Sequence, residues 1–199
     1  MTRPTQTKAS VRAEVIARRA TLSQDAHAAL SRSACERLVA HPLLEGARTV
    51  ALYAALGKEL DPAVAADALL ARGVRVVYPR IRAGERRMAF AACARSALVV
   101  GPLKALEPPA SAPELPGADV DVIVVPAVAF TPDGHRLGRG GGFYDATLAA
   151  AARARRIGLA FDLQVVSALP REEHDATVDA VVTELRTLSI PRDPGAPLR

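Results

Sequence analysis

The sequence VDVIVVPAVAFTPDGHRLGRGGGFYD at residues 120–145 predicts both a central strand and a ligand site. Residues 120–125 are apolar and largely β-branched apart from Asp121, which is typical of a parallel strand covered on both faces. The strand leads into the glycine segment, residues 131–145, which holds five glycines, two arginines, an aromatic pair and a closing acid. Ligands of open α/β sheets bind at the carboxyl ends of the strands. We therefore expect an α/β fold with a ligand site at the carboxyl ends of its strands.

The glycine segment has the chemistry of an anion-binding loop. Without Cβ atoms, neighbouring glycines let backbone N–H groups converge on one anion, and a following helix adds the positive end of its dipole. Arg136 and Arg139 can present forked donors to phosphate oxygens, and Asp145 is placed to hold a divalent cation that bridges phosphates. The segment matches neither the Walker A nor the dinucleotide-binding pattern. A flexible glycine-rich connection is the alternative interpretation.

Composition favours a small anionic ligand. The 199 residues suffice for one well-buried domain, and 26 basic against 21 acidic side chains give a net charge of +5. The basic residues are interspersed with acids, aromatic residues make up only 4% and Trp is absent, which argues against a nucleic-acid-binding surface. No signal peptide or membrane span is evident, so a cytoplasmic protein is expected, with Cys35 and Cys93 reduced and structural.

The amino-terminal part of the chain supplies a second basic feature. Residues 8–19 read as a helix whose apolar face includes Val11 and Val15. Lys8 and Arg12 then lie one turn apart and could clamp an anion. From spacing alone, a solvated helix face is the favoured interpretation. His27 and His41 further on are expected to be ordinary surface residues.

Two further acids are candidates because of where they fall relative to strands. Residues 49–56 read as a buried strand, and Glu59 follows at its carboxyl end, where it is either a site residue or an exposed loop acid. Asp175 lies in a loop before the predicted strand at residues 180–183, where it could fold over the glycine segment or simply form a turn.

Three predictions of local structure rest on proline and alanine. A strand at residues 74–78 is expected to stop at Pro79, and the five prolines within residues 101–117 are expected to exclude regular structure. The alanine-rich stretch after Asp145 is expected to continue as a helix to Arg156.

Together these features resemble the 5-formyltetrahydrofolate cyclo-ligase family, also called methenyltetrahydrofolate synthetase, over about residues 8–184. The matching features are Lys8 and Arg12, Glu59-Leu-Asp61, Val125-Pro126 through Phe130, the run RLGRGGGFYD at residues 136–145, Leu169-Pro170, His174-Asp175 and Val182-Thr183-Glu184. Their order and the complete RLGRGGGFYD run carry the resemblance.

The resemblance implies a three-layer αβα fold with a central, largely parallel sheet, similar to CoA-transferase-like folds. It also implies one domain over residues 1–190. The tail at residues 191–199 is expected to be disordered because of its position at the end of the chain. The implied reaction is the ATP- and Mg²⁺-dependent cyclisation of 5-formyltetrahydrofolate to 5,10-methenyltetrahydrofolate. A monomer acting on this small molecule, with or without a polyglutamate tail, is expected, with no nucleic-acid or membrane partner.

The resemblance also implies residue roles. Nucleotide would be bound by Lys8, Arg12, Arg136, Leu137, Gly138, Arg139, Gly140, Gly141, Gly142, Phe143 and Tyr144. Catalysis would rest on Arg139, Gly140, Gly141 and Gly142, and folate would contact Ala54, Glu59, Arg139, Gly140, Gly141, Gly142 and Phe143. Asp145 and Asp175 would hold Mg²⁺.

Three positions depart from the pattern of the family. Phe143 stands where many relatives have tyrosine, Gly141 where some have lysine, and Ala54 is small for a substrate-lining position. The alternative to a cyclo-ligase is a nucleotide- or sugar-phosphate-binding protein of the same fold without that activity.

Overall fold

A computed structural model describes residues 7–172 and 175–191. His174 and most of the expected disordered tail, residues 192–199, lie outside the described residues. Within the described ranges, no helix has both the length and the apolar character needed to cross a membrane.

The described chain alternates helices and short strands. The helices are α1 (Lys8–Ala20), α2 (Gln24–Val39), α3 (Ala63–Ala71) and α4 (Phe143–Ala150). The strands are β1 (Thr49–Ala51), β2 (Arg75–Arg80), β3 (Ala89–Ala91), β4 (Val99–Val100), β5 (Leu106–Glu107), β6 (Glu114–Leu115), β7 (Val122–Val125), β8 (Ala129–Phe130), β9 (Arg136–Leu137), β10 (Arg155–Leu159), β11 (Ala180–Val182) and β12 (Thr187–Ser189).

The main sheet has eight strands in the order β12-β11-β10-β7-β1-β2-β3-β6. The inner strands β11, β10, β7, β1 and β2 are parallel, and β12, β3 and β6 pair antiparallel at the two sides. Two separate hairpins, β4–β5 and β8–β9, complete the strand structure. The predicted α/β fold with a largely parallel central sheet is confirmed.

Strand β7 lies in the middle of this sheet because its residues are apolar on both faces. Val122 and Val124 pack in the core that α2 and α3 cover, whereas Ile123 and Val125 pack in the core that contains Leu148 of α4. All four residues of β7 are buried. The continuous apolar pattern therefore marks a strand between two helical layers.

Helix α1 packs away from these two cores, on the β8–β9 hairpin. Val11 and Val15 are buried against Val128, Ala129 and Leu137. Since β9 opens into the glycines, this packing sets the polar face of α1 beside the glycine segment.

Two predicted strand boundaries near the cleft are wrong. The strand expected at residues 49–56 has ladder pairs only over Thr49–Ala51, because the chain then turns away through Gly57, whose φ is +64°. Pro79 does not stop β2 and pairs with Phe90 of β3. β1 pairs with β2 only as far as Val77. Beyond Val77, the side of β2 that faces β1 therefore has no ladder partner, and a residue without an N–H is tolerated there.

The other two local predictions are also wrong. Residues 101–117 contain β5, in the separate β4–β5 hairpin, and β6, at the margin of the main sheet. Both short strands fit between the prolines, and proline is tolerated at the edges of sheets. The helix expected to reach Arg156 ends at Ala150. Arg155 and Arg156 instead pair with β7, so sheet pairing overrides the helix propensity of the alanines.

Candidate active site

A cleft of about 650 Å³ opens beyond the carboxyl ends of β1, β2 and β7. Every site residue expected from the sequence lines it: Lys8, Arg12, Ala54, Glu59, Arg136, Leu137, Gly138, Arg139, Gly140, Gly141, Gly142, Phe143, Tyr144, Asp145 and Asp175. The structure thus brings these residues together from distant parts of the chain. Their individual roles in binding remain predictions.

The glycine segment reaches the cleft through conformations that favour glycine. Gly140 has φ +104°, and Gly142, the residue before α4, has φ +69°. Both values lie in the left-handed region, which side chains other than glycine rarely adopt. A Cβ atom on Gly140 would lie 3.6 Å from Nη2 of Arg12 and one on Gly142 would lie 3.9 Å from Nη1 of Arg86. The glycines therefore run between two guanidinium groups.

Arg139 and Glu59 form an ion pair across the cleft. Oε1 of Glu59 accepts from Nε of Arg139 at 2.9 Å and lies 2.8 Å from its Nη2. The other carboxylate oxygen accepts from the backbone N–H of Leu56 at 3.0 Å. Glu59 is 9% exposed, so it is a buried site residue and not an exposed loop acid.

His27 supports the same turn from behind. Its Nε2 lies 2.8 Å from the carbonyl oxygen of Glu59, and its ring packs edge-on against Phe161 at 5.2 Å. His41 is buried, and its Nδ1 accepts from the N–H of Leu43. The prediction that these histidines are ordinary surface residues is therefore wrong. Contacts across about thirty positions, such as His27 with Glu59, leave no local sequence signal.

Arg136 and Asp145 form the most buried ion pair of the cleft. Nη2 of Arg136 donates to Oδ1 of Asp145 at 2.5 Å, and the Arg136 side chain is 3% exposed. The same oxygen accepts from the N–H of Ala176 at 3.3 Å. Burial lowers the pKa of Arg136, and the charge of Asp145 opposes that shift. The Arg136 guanidinium also lies 5.8 Å from the centre of the Tyr144 ring.

Lys8 is held between two acids from the loop before β11. Its Nζ donates to Asp175 Oδ2 at 2.9 Å and lies 3.0 Å from Oε1 of Glu172. Burial acts to lower the pKa of Lys8, but the hydrogen bonds and charges of these two acids outweigh it and raise the pKa. Arg12 donates from Nε to the carbonyl oxygen of Gly138 at 2.8 Å. The basic face of α1 is therefore part of the cleft and is not a solvated surface.

Two of the departures from the family pattern are physically linked. A Cβ atom on Gly141 would lie 2.9 Å from Cδ2 of Phe143, closer than two carbons can approach without one moving. A side chain at position 141 would therefore displace the Phe143 ring. The Phe143 ring can therefore occupy its present position only because residue 141 is glycine.

The cleft has an apolar half that the sequence reasoning did not identify. Ile81 and Met88, near the two ends of the β2–β3 turn, and Leu103 and Leu106, from the β4–β5 hairpin, line it. Leu103 is 52% exposed and Leu106 is 43% exposed, so a flat apolar ligand would bury additional surface here. Glu107 of β5 accepts from the N–H of Ile81 at 3.1 Å and ties the hairpin to β2.

Other lining residues were also not identified from the sequence: Tyr53, Leu56, Pro79, Ala105, Glu107, Pro126, Ala127, Glu172 and Arg86. Arg86 lies in the charged β2–β3 turn beside Arg87, and no feature of the sequence distinguishes the two arginines. Which of them faces the cleft depends on the pairing of β2 with β3.

The acidic residues fit a metal that is held jointly with phosphate. Within the described ranges, no group of three or more His, Cys, Asp or Glu side chains is arranged to hold a metal ion. Mg²⁺ in phosphate-binding sites is commonly held by one or two carboxylates together with substrate oxygens. Asp145 and Asp175 both line the cleft beside Arg136 and Lys8, so the donor set fits a metal–phosphate ligand and not an all-protein metal site.

The fold and the cleft define an α/β protein whose glycine segment, arginines and paired carboxylates are suited to a polyanionic small molecule that also has an apolar part. The chain belongs to the 5-formyltetrahydrofolate cyclo-ligase family, whose model matches residues 4–184.

Individual relatives agree with this membership. A 5-formyltetrahydrofolate cyclo-ligase from Escherichia coli strain K12 is 34% identical over 171 residues, covering 83% of this chain and 94% of the relative. One from Mycolicibacterium smegmatis is 38% identical over 147 residues, covering 70% and 75%. The NMR structure of Aquifex aeolicus 5,10-methenyltetrahydrofolate synthetase superposes with a TM-score of 0.81 at 28% identity, covering 96% of each chain.

Proposed function

We propose that the protein catalyses the ATP- and Mg²⁺-dependent cyclisation of 5-formyltetrahydrofolate to 5,10-methenyltetrahydrofolate, releasing ADP and phosphate. The observation that carries the proposal is the contact between Glu59 and Arg139. Glu59 is the residue proposed to bind the pterin edge, and Arg139 is proposed to offset charge on the transferred phosphate. Their contact supports a site in which the formyl group on the pterin meets the terminal phosphate.

The reaction needs a phosphate because the oxygen of a formyl amide is a poor leaving group. In the proposed sequence the formyl oxygen bonds to the γ-phosphorus as the bond to ADP breaks. N10 then attacks the formyl carbon, loses its proton, and phosphate departs with the former formyl oxygen. In phosphoryl transfer of this kind, the protein mainly positions the reactants and stabilises the developing charge. No serine, cysteine or histidine nucleophile is required.

The charged half of the cleft is proposed to bind ATP. Lys8 and Arg12 reach the glycine segment from α1, and the amide groups of residues 138–142 are available on either side of the left-handed glycines. Mg²⁺ held by Asp145 and Asp175 would neutralise charge that develops on the phosphates. In the structure, Arg136 and Lys8 orient these two carboxylates.

The apolar half of the cleft is proposed to bind the ring system of the folate. Ala54 and Tyr53 follow β1 at the base of the cleft, and the hydroxyl of Tyr53 donates to the carbonyl oxygen of Leu60 at 2.8 Å. That hydrogen bond links the base of the cleft to the turn that carries Glu59. Burial raises the pKa of Tyr53 well above its ordinary value, so the hydroxyl stays neutral and acts as a fixed donor.

The growth of the methenyl chromophore with purified protein and 5-formyltetrahydrofolate tests the proposal. Absorbance is expected to rise only when both ATP and Mg²⁺ are present, and stoichiometric ADP should accumulate. Omission of ATP, and chelation of the metal, serve as matched controls. Folded protein that binds ATP without forming the chromophore would instead support a nucleotide-binding protein without cyclo-ligase activity. The proposal includes a monomeric, cytoplasmic enzyme, for which sedimentation and cell fractionation are the measurements.

A further inference from the structure

Arg86 occupies a distinctive position among the cations of the cleft. It lines the cleft from the β2–β3 turn, opposite α1. Its Nη1 would lie 3.9 Å from a Cβ atom on Gly142, as Arg12 Nη2 would lie 3.6 Å from one on Gly140. The glycines therefore have one guanidinium on each side, and only Arg12 belongs to the family pattern described above.

The other cations of the cleft are already bound to protein oxygens. Lys8, Arg136 and Arg139 each contact a carboxylate, and Arg12 donates to a carbonyl oxygen. Across residues 7–172 and 175–191, Arg86 forms no hydrogen bond or ion pair. Its forked donors are therefore free to bind a ligand without first breaking a contact of this kind.

The rest of the β2–β3 turn is held in place independently of Arg86. Arg82 pairs with Glu114 of β6 and with Glu85, and Arg80 pairs with the same Glu114. Met88, which ends the turn, donates its N–H to Thr147 Oγ1 of α4 at 2.9 Å. These contacts fix both ends of the turn, so the location of Arg86 over the cleft is a property of the fold.

We propose that Arg86 is a substrate-binding residue that holds an oxyanion at the Gly142 end of the glycine segment. This inference rests on the proposed function. Two groups of the proposed substrates carry suitable oxygens: the phosphates of ATP, since Gly142 belongs to the glycine segment, and the glutamate carboxylates of the folate, since Ile81 and Met88 place the turn beside the apolar half. A planar carboxylate and a tetrahedral phosphate both present pairs of oxygens to which a guanidinium can donate two hydrogen bonds.

Isothermal titration of the full chain with each ligand tests the assignment. The ligands are a non-hydrolysable ATP analogue with Mg²⁺, 5-formyltetrahydrofolate, and the uncharged methylamide of 5-formyltetrahydropteroate, which lacks the glutamate and has no free carboxylate. Arg86→Ala is expected to raise the dissociation constant of one natural ligand by about five- to tenfold, the size of a partly exposed charge-assisted contact. Arg86→Lys keeps the charge without the forked donors, so its dissociation constant is expected to lie between those of Arg86→Ala and the wild type.

The arms of the experiment identify the source of the oxyanion. Weaker binding of the ATP analogue alone assigns Arg86 to the phosphates. Weaker binding of 5-formyltetrahydrofolate, with equal binding of the glutamate-free compound by wild type and variant, assigns it to the carboxylate.

Arg87→Ala is the matched control, because Arg87 is the adjacent arginine and lines a separate cavity of about 230 Å³. Unchanged affinities in Arg86→Ala, or an equal loss in Arg87→Ala, would overturn the inference while leaving the proposed function intact. A wild-type protein that bound neither ATP nor the folate would overturn the proposed function, and this inference with it.

Discussion

Acidic side chains lie at both ends of the strands of the main sheet, which we call its amino edge and its carboxyl edge. Both sets accept from backbone amides, and the set at the carboxyl edge also pairs with the side-chain cations of the cleft. At the amino edge, Oδ2 of Asp121 accepts from the backbone N–H groups of Arg48 and Thr49, both at 2.8 Å. Oδ2 of Asp179 accepts from the N–H of Arg156 at 2.7 Å. These carboxylates bind backbone donors of neighbouring strands and join β1 to β7 and β10 to β11.

At the carboxyl edge, three acids of the cleft each bind a backbone amide and a side-chain cation. Glu59, Asp145 and Asp175 accept from the amides of Leu56, Ala176 and Glu172. Their cations are Arg139, Arg136 and Lys8. The amide orients the carboxylate, whereas the cation can exchange it for a ligand by rotation of a side chain.

The acids with a structural role and the acids proposed to bind ligands therefore differ in their partners and not in their residue type. A backbone donor belongs to the ladder and cannot leave without unpairing strands, so an acid that binds it contributes to stability. A contact with a side-chain cation can instead be exchanged for one with an incoming phosphate, without unpairing strands. Mutations at the two edges should therefore affect stability and catalysis in opposite proportions.

Replacement of Arg139 by alanine should show the largest effect. We expect kcat to fall by about 10²–10³-fold, the loss seen when a donor to developing charge is removed. The Arg139 side chain is 51% exposed, so its loss should cost only about 1 kcal/mol of stability. Chromophore kinetics and thermal unfolding of the same preparation measure the two effects. A fall in Tm proportionate to the loss of activity would contradict a catalytic role.

Replacement of Asp121 by alanine should have the reverse effect at the amino edge. Losing the acceptor for two amides is expected to cost about 2 kcal/mol, or roughly 4–8 °C in Tm. The kcat of the folded enzyme should stay unchanged, since Asp121 does not line the cleft. Asp119→Ala, two residues earlier and exposed, is the control and should change neither quantity. A loss of activity with an unchanged Tm would contradict a purely structural role for Asp121.

Replacement of Asp145 by asparagine should act on the metal requirement. Asparagine keeps an oxygen that can accept from Arg136 but removes the charge, so the Mg²⁺ concentration for half-maximal activity should rise by about tenfold or more. Asp133→Asn serves as the control, because Asp133 is a 54% exposed acid of the same segment that pairs with Arg171. Superimposable Mg²⁺ titration curves for Asp145→Asn and wild type would remove Asp145 from the metal site.

The smallest effect concerns His41, which lines the same cavity as Asp179 at the amino edge. Burial lowers the pKa of His41 below its ordinary value of 6.5. Its stabilising contribution is therefore complete above pH 6.5 and declines as the pH falls through the lowered folded-state pKa. Wild type should lose more stability than His41→Asn between pH 7.5 and 5.5, measured by urea unfolding. Parallel losses in the two proteins would show that His41 does not titrate as inferred.

Much of the fold was predictable because its decisive signals are local. The apolar run of β7 and the glycines with positive φ carry their structure in their own residue types. Predictions failed where a distant partner decided the outcome. Pro79 lies within β2 because β1 stops pairing beside it, and the helix after Asp145 ends early because β7 recruits Arg155.

The sequence alone determined the central strand and the anion-binding character of the glycine segment, since these follow from side-chain chemistry and spacing, and its resemblance to the family indicated the candidate site residues. Only the tertiary structure decided which acid meets which cation, that Arg86 and not Arg87 faces the cleft, and that the β4–β5 hairpin supplies an apolar wall. Those outcomes depend on strand pairing and helix packing between residues far apart in the chain, and no local pattern encodes them.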